Sequence, residues 1–355
     1  GIDFESPSAA FLVGEGGTLA WLYWDSEDND WYESYLIGYN LRENEVPASV
    51  NLNDIHCFGP DEYWMVGEQG MIMEHGTSSS ARISGSNRYA TAIAMSSDWP
   101  DDSCRTVVMA TGTDFPDALS ASGLAGAYEC PLLLTGGTLD DTVKAELTRL
   151  GADAVVIVGG ESAVPSVVSD ALTDAGFDVD RDLAGDNRYD TARLVAERIA
   201  TIAGSSFSQA AFIARGDGFA DALAVSPFAY SQKMPVLLTQ PSSLPGDTQA
   251  ALSGLDIENA YIAGGTAAVS DGVKGSIDGV LSVNGGTNSE RWSGADRYET
   301  AATIAQNGID AFWATPAFVG LSTGQNFPDA LGGVAVCGSS GGVLLLTNST
   351  TLSSA

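Results

Sequence analysis

The chain has 355 residues, of which 44% are hydrophobic, and 46 acidic against 15 basic residues give it a formal net charge of −31. This length allows two or three domains with buried cores. The strongly negative field argues against nucleic acid as a partner. No apolar run is long enough to cross a membrane, so we expect no membrane insertion.

Residues 1–76 differ in texture from the rest of the chain. They are rich in Trp, Tyr, Gly and acidic residues, and their short alternating stretches predict β-hairpins. Residues 7–19 and 60–72 align as a strand, a Gly-Glu-x-Gly turn and a second strand. Their offset of about fifty residues is typical of one propeller blade. The segment resembles blades of the photosystem-assembly-factor type of β-propeller.

A flexible linker is predicted at residues 77–81, and beyond it the sequence predicts an α/β fold. Apolar runs of strand length alternate with helical stretches, which is the pattern of a parallel sheet covered on both faces. The clearest predicted strands and helices are Val107–Ala110, Leu132–Thr135, Asp141–Leu150, Ala154–Val158 and Pro165–Ala175.

Three phrases recur in the same order three times. The first is Asn/Asp-Arg-Tyr-x-Thr-Ala, the second is Phe-x-Asp-Ala-Leu, and the third is a strand that ends in Leu-Thr. From the Asp of the second phrase to the Thr of the third, the spacing is 18 residues in every copy. We therefore predict three modules built on one template, at residues 82–180, 181–289 and 290–355. The third is truncated, because it lacks the strand that ends in Gly159-Gly160 or Gly264-Gly265 in the others.

The first phrase places an arginine where a helix disfavours one. Asn87, Asn187 and Asp296 are predicted helix caps. Arg88, Arg188 and Arg297 follow them into the first turn, where the helix dipole disfavours a cation, so we expect a specific partner for each. That partner is either a carboxylate or a ligand.

The second phrase supplies a candidate carboxylate. Asp117, Asp221 and Asp329 are predicted to open the next helix, either as its cap or in a bidentate ion pair with an arginine. We hypothesise that Arg88 lies within about 3 Å of Asp117, or of the matching Asp of a neighbouring module.

Catalysis is poorly supported by the sequence. The α/β region has no histidine, and the chain has no Gly-x-Ser-x-Gly elbow, no P-loop and no Gly-x-Gly-x-x-Gly fingerprint. Gly-rich strand exits such as Thr135-Gly136-Gly137 admit backbone amides to phosphate or sugar oxygens, although tight packing explains these glycines equally well. We expect no catalytic residue, no cofactor and, without a Cys-x-x-Cys pair, no metal site.

The cysteines do not form a disulfide framework in a chain of this length. Cys57 and Cys337 have the surroundings of buried thiols. Cys104 and Cys130 each precede a predicted strand, and the sequence leaves open whether they form a disulfide.

Together the phrases resemble the cell-wall-binding repeat 2 family of surface proteins. The matching residues are Arg-x-x-Gly-x-Asn/Asp-Arg-Tyr-x-Thr-Ala, Phe-x-Asp-Ala-Leu, Pro-hydrophobic-Leu-Leu-Thr and Val-Val-Ile-Val-Gly-Gly-x-x-Ala-Val, over about three quarters of the chain. The resemblance implies three Rossmann-like or Toprim-like parallel-sheet modules in a pseudo-threefold arrangement. It also implies non-catalytic, non-covalent binding to an anionic cell-wall polymer. The second module departs from the pattern, with Asp182 where the others have Arg82 and Arg291.

We therefore expect a secreted, non-enzymatic protein of the cell surface whose partner is a cell-wall polymer. The alternatives are an accessory or enhancer of a cell-wall hydrolase and a sugar-phosphate- or nucleotide-binding α/β domain. The sequence leaves the oligomeric state open. The candidate ligand-binding residues are Arg82, Arg88, Arg188, Arg291, Arg297, Asp117, Asp221 and Asp329.

Overall fold

The computed structural model describes residues 82–315 and 317–348 in full and, within residues 2–75, the backbone of seven strands. The chain divides into two compact units, and the division falls between Arg82 and Ile83. The predicted linker at residues 77–81 and the side chain of Cys57 lie outside the described residues.

The first unit contains two antiparallel sheets, one of four strands and one of three, each in sequential order. Gly14 pairs with Thr18 and Gly67 with Met71, so each Gly-Glu-x-Gly segment joins two strands of a hairpin, as the sequence predicts. The propeller-blade resemblance also depends on side chains and loops outside the described residues. The strands are β1 (Ile2–Ser6), β2 (Ala9–Gly14), β3 (Thr18–Asp25), β4 (Asp30–Tyr35), β5 (Leu52–Gly59), β6 (Glu62–Gly67) and β7 (Met71–His75).

The second unit alternates helices and strands, as predicted. Its first part comprises α1 (Arg88–Ser96), β8 (Thr106–Thr111), α2 (Pro116–Tyr128), β9 (Leu132–Thr135), α3 (Asp141–Arg149), β10 (Ala154–Val158), α4 (Ser166–Asp174) and β11 (Asp178–Leu183). Next come α5 (Arg188–Ala203), β12 (Ala210–Arg215), α6 (Ala220–Gln232), β13 (Val236–Thr239), α7 (Gly246–Gly254), β14 (Asn259–Ala263), α8 (Asp271–Asn284) and β15 (Glu290–Trp292). The last part comprises α9 (Arg297–Asp310), β16 (Val319–Thr323), α10 (Pro328–Ser339) and β17 (Val343–Thr347).

These strands form three parallel sheets, one for each repeat of the phrases. The orders are β11-β10-β8-β9, β15-β14-β12-β13 and β16-β17. In the two four-stranded sheets the central strands β8 and β12 are buried along almost their whole length, because helices cover both faces. The parallel α/β fold in three repeated modules is therefore confirmed.

The last strand of each four-stranded sheet lies at a predicted module border. Strand β11 continues to Leu183, past the predicted border at residue 180, and pairs with β10 of the first sheet. Strand β15, which extends to Trp292, pairs in the same way with β14. We propose that each module ends after this fourth strand and that the next begins at the phrase that follows.

A ring of helices joins the modules. Helices α2, α6 and α10 pack against one another, and the first helix of each module packs on the second helix of the preceding one: α5 on α2, α9 on α6 and α1 on α10. Small residues allow this approach, since a Cβ on Gly126 would lie 2.0 Å from the carbonyl oxygen of Tyr230. The contacts close on themselves, which is the pseudo-threefold arrangement.

Aromatic side chains fasten the third module to the second. Trp313, just after α9, lies edge-on to Phe212 of β12 and Tyr261 of β14, with ring centroids 6.0 and 5.0 Å apart. Trp292 of β15 lies 5.7 Å from Trp313. Such pairs contribute about 0.5–1.5 kcal/mol each beyond the area they bury. The two-stranded third sheet is thus held by its neighbour.

Candidate functional site

One glycine per module brings the three phrases together. In the first module the carbonyl of Gly112 accepts a hydrogen bond from Arg88 Nη1, and its amide donates to the carbonyl of Thr135 at 2.9 Å. The ring of Tyr89 lies so close that a Cβ on Gly112 would be 2.8 Å from it. Any side chain at this glycine would therefore displace the Tyr and the Arg of the phrase.

The same arrangement recurs in the other modules. Arg188 donates to the carbonyl of Gly216, and Arg297 to that of Gly324 at 2.5 Å. The amides of these glycines donate at 2.8 Å to Thr239 and Thr347. Each recurrent arginine is thus anchored at the carboxyl edge of its own sheet.

The first phrase is also a self-contained helix start. Asn87 Oδ1 accepts from the amides of Tyr89 and Ala90 at 3.0 and 2.9 Å, so the predicted cap is confirmed, as it is for Asn187 and Asp296. The buried Thr91 hydroxyl accepts from the Gly85 amide at 3.0 Å. This second bond explains the Thr of the phrase, for which the sequence offered no reason.

The hypothesis of a direct Arg–Asp bridge is wrong. Among the described residues, Arg88, Arg188 and Arg297 make no ion pair with a carboxylate, because their guanidinium groups bind the glycine carbonyls instead. An electrostatic interaction remains between modules. Arg188 lowers the pKa of Asp117, and Arg297 lowers the pKa of Asp221. In these two pairs the Asp belongs to the preceding module and lies beyond ion-pair distance.

The capping role predicted for the motif aspartates is also wrong. Phe115, Phe219 and Phe327 occupy the cap positions, without a side-chain capping bond, and each Asp falls in the first helical turn. The three rings meet around the pseudo-threefold axis, with centroids 5.5–5.9 Å apart in edge-to-face or tilted pairs.

Two of these aspartates are each covered by a glycine that directly follows the third strand of the module, β10 or β14. Gly159 has φ +107°, and a Cβ there would lie 2.4 Å from Asp117 Oδ2. Gly264, with φ +103°, stands in the same relation to Asp221. These glycines serve a left-handed backbone and a close carboxylate together. Asp329 is exposed.

Burial changes the acidity of the covered carboxyls. The pKa of Asp117 is raised to about 6, chiefly by burial and also by the Asp114 carboxylate, against the lowering effect of the Arg188 guanidinium. Burial also raises the pKa of Asp221, against the opposing effect of Arg215 and Arg297. A carboxyl with a pKa perturbed in this way is a candidate functional group.

The remaining predicted arginines have other surroundings. Arg291 Nη1 donates to the carbonyl of Gly264 at 2.8 Å, and its Nη2 lies 3.3 Å from Asp271 Oδ1. Arg181, on β11, donates to the carbonyl of Val164 at 2.6 Å. Arg82 is exposed at the end of the first unit, and Asp182 is exposed as well.

We name the surface around the axis the axial face; it comprises Phe115, Phe219, Phe327, Arg88, Arg188, Arg297, Asp117, Asp221 and Asp329. A guanidinium has five N–H donors, and one bond to a glycine carbonyl leaves the others available. Arg297 also lies over the Phe219 ring, 5.7 Å from its centroid. Planar guanidinium groups held in place in this way suit phosphate or carboxylate oxygens.

The sequence pointed to Gly-rich strand exits, Gly112 among them, but it did not reveal that such glycines accept hydrogen bonds from the arginines or that the phenylalanines meet. Gly112, Gly216 and Gly324 stand three residues before Phe115, Phe219 and Phe327, and this recurrence was a usable signal. Of the cysteines, Cys104, Cys130 and Cys337 are buried free thiols, so the first two are not bonded to each other. Burial raises the pKa of each.

The described part of the chain has neither a membrane-spanning helix nor a cluster of metal ligands. Its helices include none that is both long and apolar enough to span a membrane. Nor do its His, Cys, Asp and Glu side chains come together in a group of three placed to hold a metal ion.

Two curated proteins of Bacillus subtilis (strain 168) are similar to this chain over part of their length. N-acetylmuramoyl-L-alanine amidase LytC is 33% identical over 273 residues, which are 77% of this chain and 51% of the amidase. The protein named amidase enhancer is 32% identical over 226 residues, 63% of this chain and 29% of the relative. The chain thus spans about half the length of the first relative and less than a third of the second.

Two solved structures from Clostridium difficile share the fold. Cwp6 matches with a TM-score of 0.70 at 24% identity, over 99% of this chain and 59% of Cwp6. Cwp8 matches with a TM-score of 0.67 at 20% identity, over 85% of this chain and 57% of Cwp8.

The family described as Cell wall binding domain 2 (CWB2) matches residues 82–169, 182–274 and 291–355, which is more than half of the chain. The three matches coincide with the three repeats and their parallel sheets. The chain therefore belongs to the Cell wall binding domain 2 family, and its three repeats form a cell-wall-binding region.

Proposed function

We propose that the three modules anchor a secreted surface protein to the cell wall, non-covalently and without catalysis, by holding an anionic wall polymer at the axial face. The observation that carries this proposal is the set of three arginines, each fixed on a glycine carbonyl beside the axial phenylalanines. In a chain of net charge −31, an anionic polymer needs a local cluster of cations.

The geometry favours several weak contacts over one tight pocket. Three related arginines around one axis present their free donors to successive groups of a repeating polymer. A polymer that engages more than one of them gains avidity, because the later contacts become intramolecular. The phenylalanines add an apolar surface against which a sugar ring packs.

The test compares two triple variants with the same change of net charge. Arg88→Gln, Arg188→Gln and Arg297→Gln together remove the cations of the axial face, while each Gln amide remains a possible donor to the glycine carbonyl. The control, Arg105→Gln, Lys233→Gln and Lys274→Gln, removes exposed or half-exposed cations that pair with Asp153, Glu129 and Asp278. Both chains must melt cooperatively before binding is compared.

Binding is measured by sedimentation with purified wall sacculi, with and without their secondary polymer. We expect the axial variant to lose about tenfold or more in affinity, since each charge-assisted contact contributes roughly 1.5–3 kcal/mol. The control should stay near the unmodified chain. Equal binding by both triple variants would remove the axial face from the proposal.

The dependence of binding on salt concentration distinguishes an anionic polymer from a neutral one. It screens both the long-range repulsion by the acidic chain and the local attraction by the arginines. For an anionic polymer we expect binding to pass through a maximum at intermediate ionic strength. Binding that rises steadily with salt and ignores the axial variant would indicate a neutral glycan held by hydrogen bonds and stacking.

The alternatives have less support. The similarity to the amidase and to the amidase enhancer covers part of each relative, and the axial face offers binding groups for a polymer.

Under the same proposal, the first unit is one or more propeller-like blades that the modules carry to the wall. Sacculi freed of secondary polymer distinguish wall anchoring from the role of a hydrolase accessory, because a hydrolase accessory would still act on the remaining glycan.

A further inference from the structure

A crevice in the first module, apart from the axial arginines, contains two hydroxyl groups that have no hydrogen-bond partner among the described residues. It lies at the carboxyl end of β9 and has a volume of about 170 Å³. Its lining includes Tyr89, Thr135, Gly136, Asp140 and Val143. A water molecule occupies about 30 Å³ of liquid, so the crevice has room for a small organic group.

The buried hydroxyl is the first sign of a ligand. Thr135 is 1% exposed, and its Oγ1 has no hydrogen-bond partner within the described part of the chain. An unpaired buried polar group costs roughly 1–3 kcal/mol, so such groups normally have a partner. In the second module the equivalent Thr239 Oγ1 donates to the carbonyls of Gln240 and Ser243, both at 3.3 Å.

The phenol of Tyr89 is the second sign. Its hydroxyl lies over Gly136, where a Cβ would be 2.7 Å from the oxygen, and no described residue accepts its proton. In the third module the residue at the position of Gly136 is Asn348. There the Tyr298 hydroxyl donates to Asn348 Oδ1 at 2.6 Å.

The comparison between the two modules identifies the missing group. Where the third module has a carboxamide, the first has a glycine and a cavity. The Tyr that would donate to that carboxamide is still present. A ligand that carries an amide carbonyl restores the same hydrogen bond.

The charge of the crevice further restricts the chemical class of the ligand. Asp140 is the charged side chain among the residues that line the crevice. Its Oδ1 already accepts from the amide and hydroxyl of Thr142, at 2.8 and 2.6 Å, and these bonds lower its pKa. A carboxylate that stays ionised repels phosphate or carboxylate but accepts an N–H. The crevice therefore favours a neutral group with an amide N–H.

We propose that this crevice binds the acetamido group of an N-acetylated amino sugar. Tyr89 donates to its carbonyl oxygen, Asp140 accepts from its N–H, and Val143 contacts its methyl group. Thr135 is left to bond a second polar atom of the sugar. This site is separate from the axial arginines, so a neutral sugar and an anionic polymer contact different parts of the protein.

The test uses N-acetylglucosamine and N-acetylgalactosamine as probes, with glucosamine and glucose as controls. Saturation-transfer NMR on the complete chain detects contact with the acetyl methyl group. We expect transfer from both acetylated sugars, at dissociation constants on the order of millimolar as befits a small crevice. Equal transfer to glucose and to the acetylated sugars would overturn the assignment of the acetamido group.

Two variants locate the site. Gly136→Asn places in the first module the carboxamide that the third already has, and we expect it to abolish the transfer. Gly160→Asn is the matched control, since Gly160 does not line the crevice and a side chain there meets no atom within 4 Å, so this variant should bind as the unmodified chain does. Tyr89→Phe removes the donor with little change of shape and should weaken binding by about tenfold.

Thermal melting shows whether each variant is folded. The axial triple Arg→Gln variant should keep the sugar signal in full, so failure of the proposed polymer binding and failure of this site are distinguishable. Unchanged transfer in both Gly136→Asn and Tyr89→Phe would show that the sugar binds elsewhere, and no transfer in the unmodified chain would show that the crevice holds water alone. Either result would overturn the proposal.

Discussion

The aspartates of one repeated phrase differ between the modules. Asp117 and Asp221 lie beneath the turns at Gly159 and Gly264, where burial raises their pKa, whereas Asp329 is exposed. The phrase Phe-x-Asp-Ala-Leu and its helix start are alike in all three. The chemistry of the carboxyl is thus set by the strand and turn that cover it, and a motif by itself does not determine it.

The largest expected effect concerns the third module, in which Asp329 is exposed. Residues 290–355 expressed alone should form an unfolded peptide, because α10 is buried against α6 and α1 and Trp313 packs on β12 and β14. A matched fragment of residues 83–292, with two four-stranded sheets, should melt cooperatively. Circular dichroism during heating measures both, and cooperative melting of the short fragment would contradict the dependence on its neighbours.

A substitution at Gly159 tests the packing of this turn on Asp117. Gly159→Ala should destabilise the chain by about 2–4 kcal/mol, since the residue has a left-handed backbone and its new Cβ would clash with Asp117. Gly160→Ala is the control, because a Cβ there meets nothing within 4 Å. Denaturant unfolding gives both free energies. Equal losses at the two positions would show that the carboxylate contact is unimportant.

The raised pKa of Asp117 predicts a dependence of stability on pH. A carboxyl whose pKa is higher in the folded than in the unfolded state contributes stability below its unfolded value of 3.8, which is lost as pH rises through about 6. Asp117→Asn should therefore stabilise the chain more at pH 8 than at pH 4. Asp329→Asn, at the exposed position, should show a smaller difference. Equal responses of the two variants would contradict the role of the cover.

The smallest expected effect is on polymer binding. Protonation of Asp117 removes a negative charge beside Arg188, so the unmodified chain should bind an anionic wall polymer more tightly as pH falls from 7 to 5. We expect a change of about two- to fivefold, because one partly screened charge contributes roughly a kcal/mol or less. Sacculus binding at each pH measures it. Asp117→Asn should flatten the profile, and an undiminished slope in that variant would assign the effect to another group.

Local signals in the sequence were sufficient for the elements and their repetition. The caps at Asn87, Asn187 and Asp296 follow from a side chain and amides two or three residues away. The predicted helix Asp141–Leu150 differs by one residue from α3. Parallel sheets followed from apolar runs separated by helices, because this pattern leaves few ways to bury both faces. The repeated phrases were also sufficient to indicate the family.

Contacts between distant segments were decided by the tertiary structure alone. Arg188 could have paired with any of many carboxylates, and its spacing did not reveal that a glycine carbonyl 28 residues away would accept its proton. The meeting of three phenylalanines depends on how the modules pack, as does the burial of Asp117 beneath Gly159. The sequence by itself determined which residues recur, since repetition is written in the order of residues. Which of them touch was decided by packing, because close approach and desolvation belong to the folded chain.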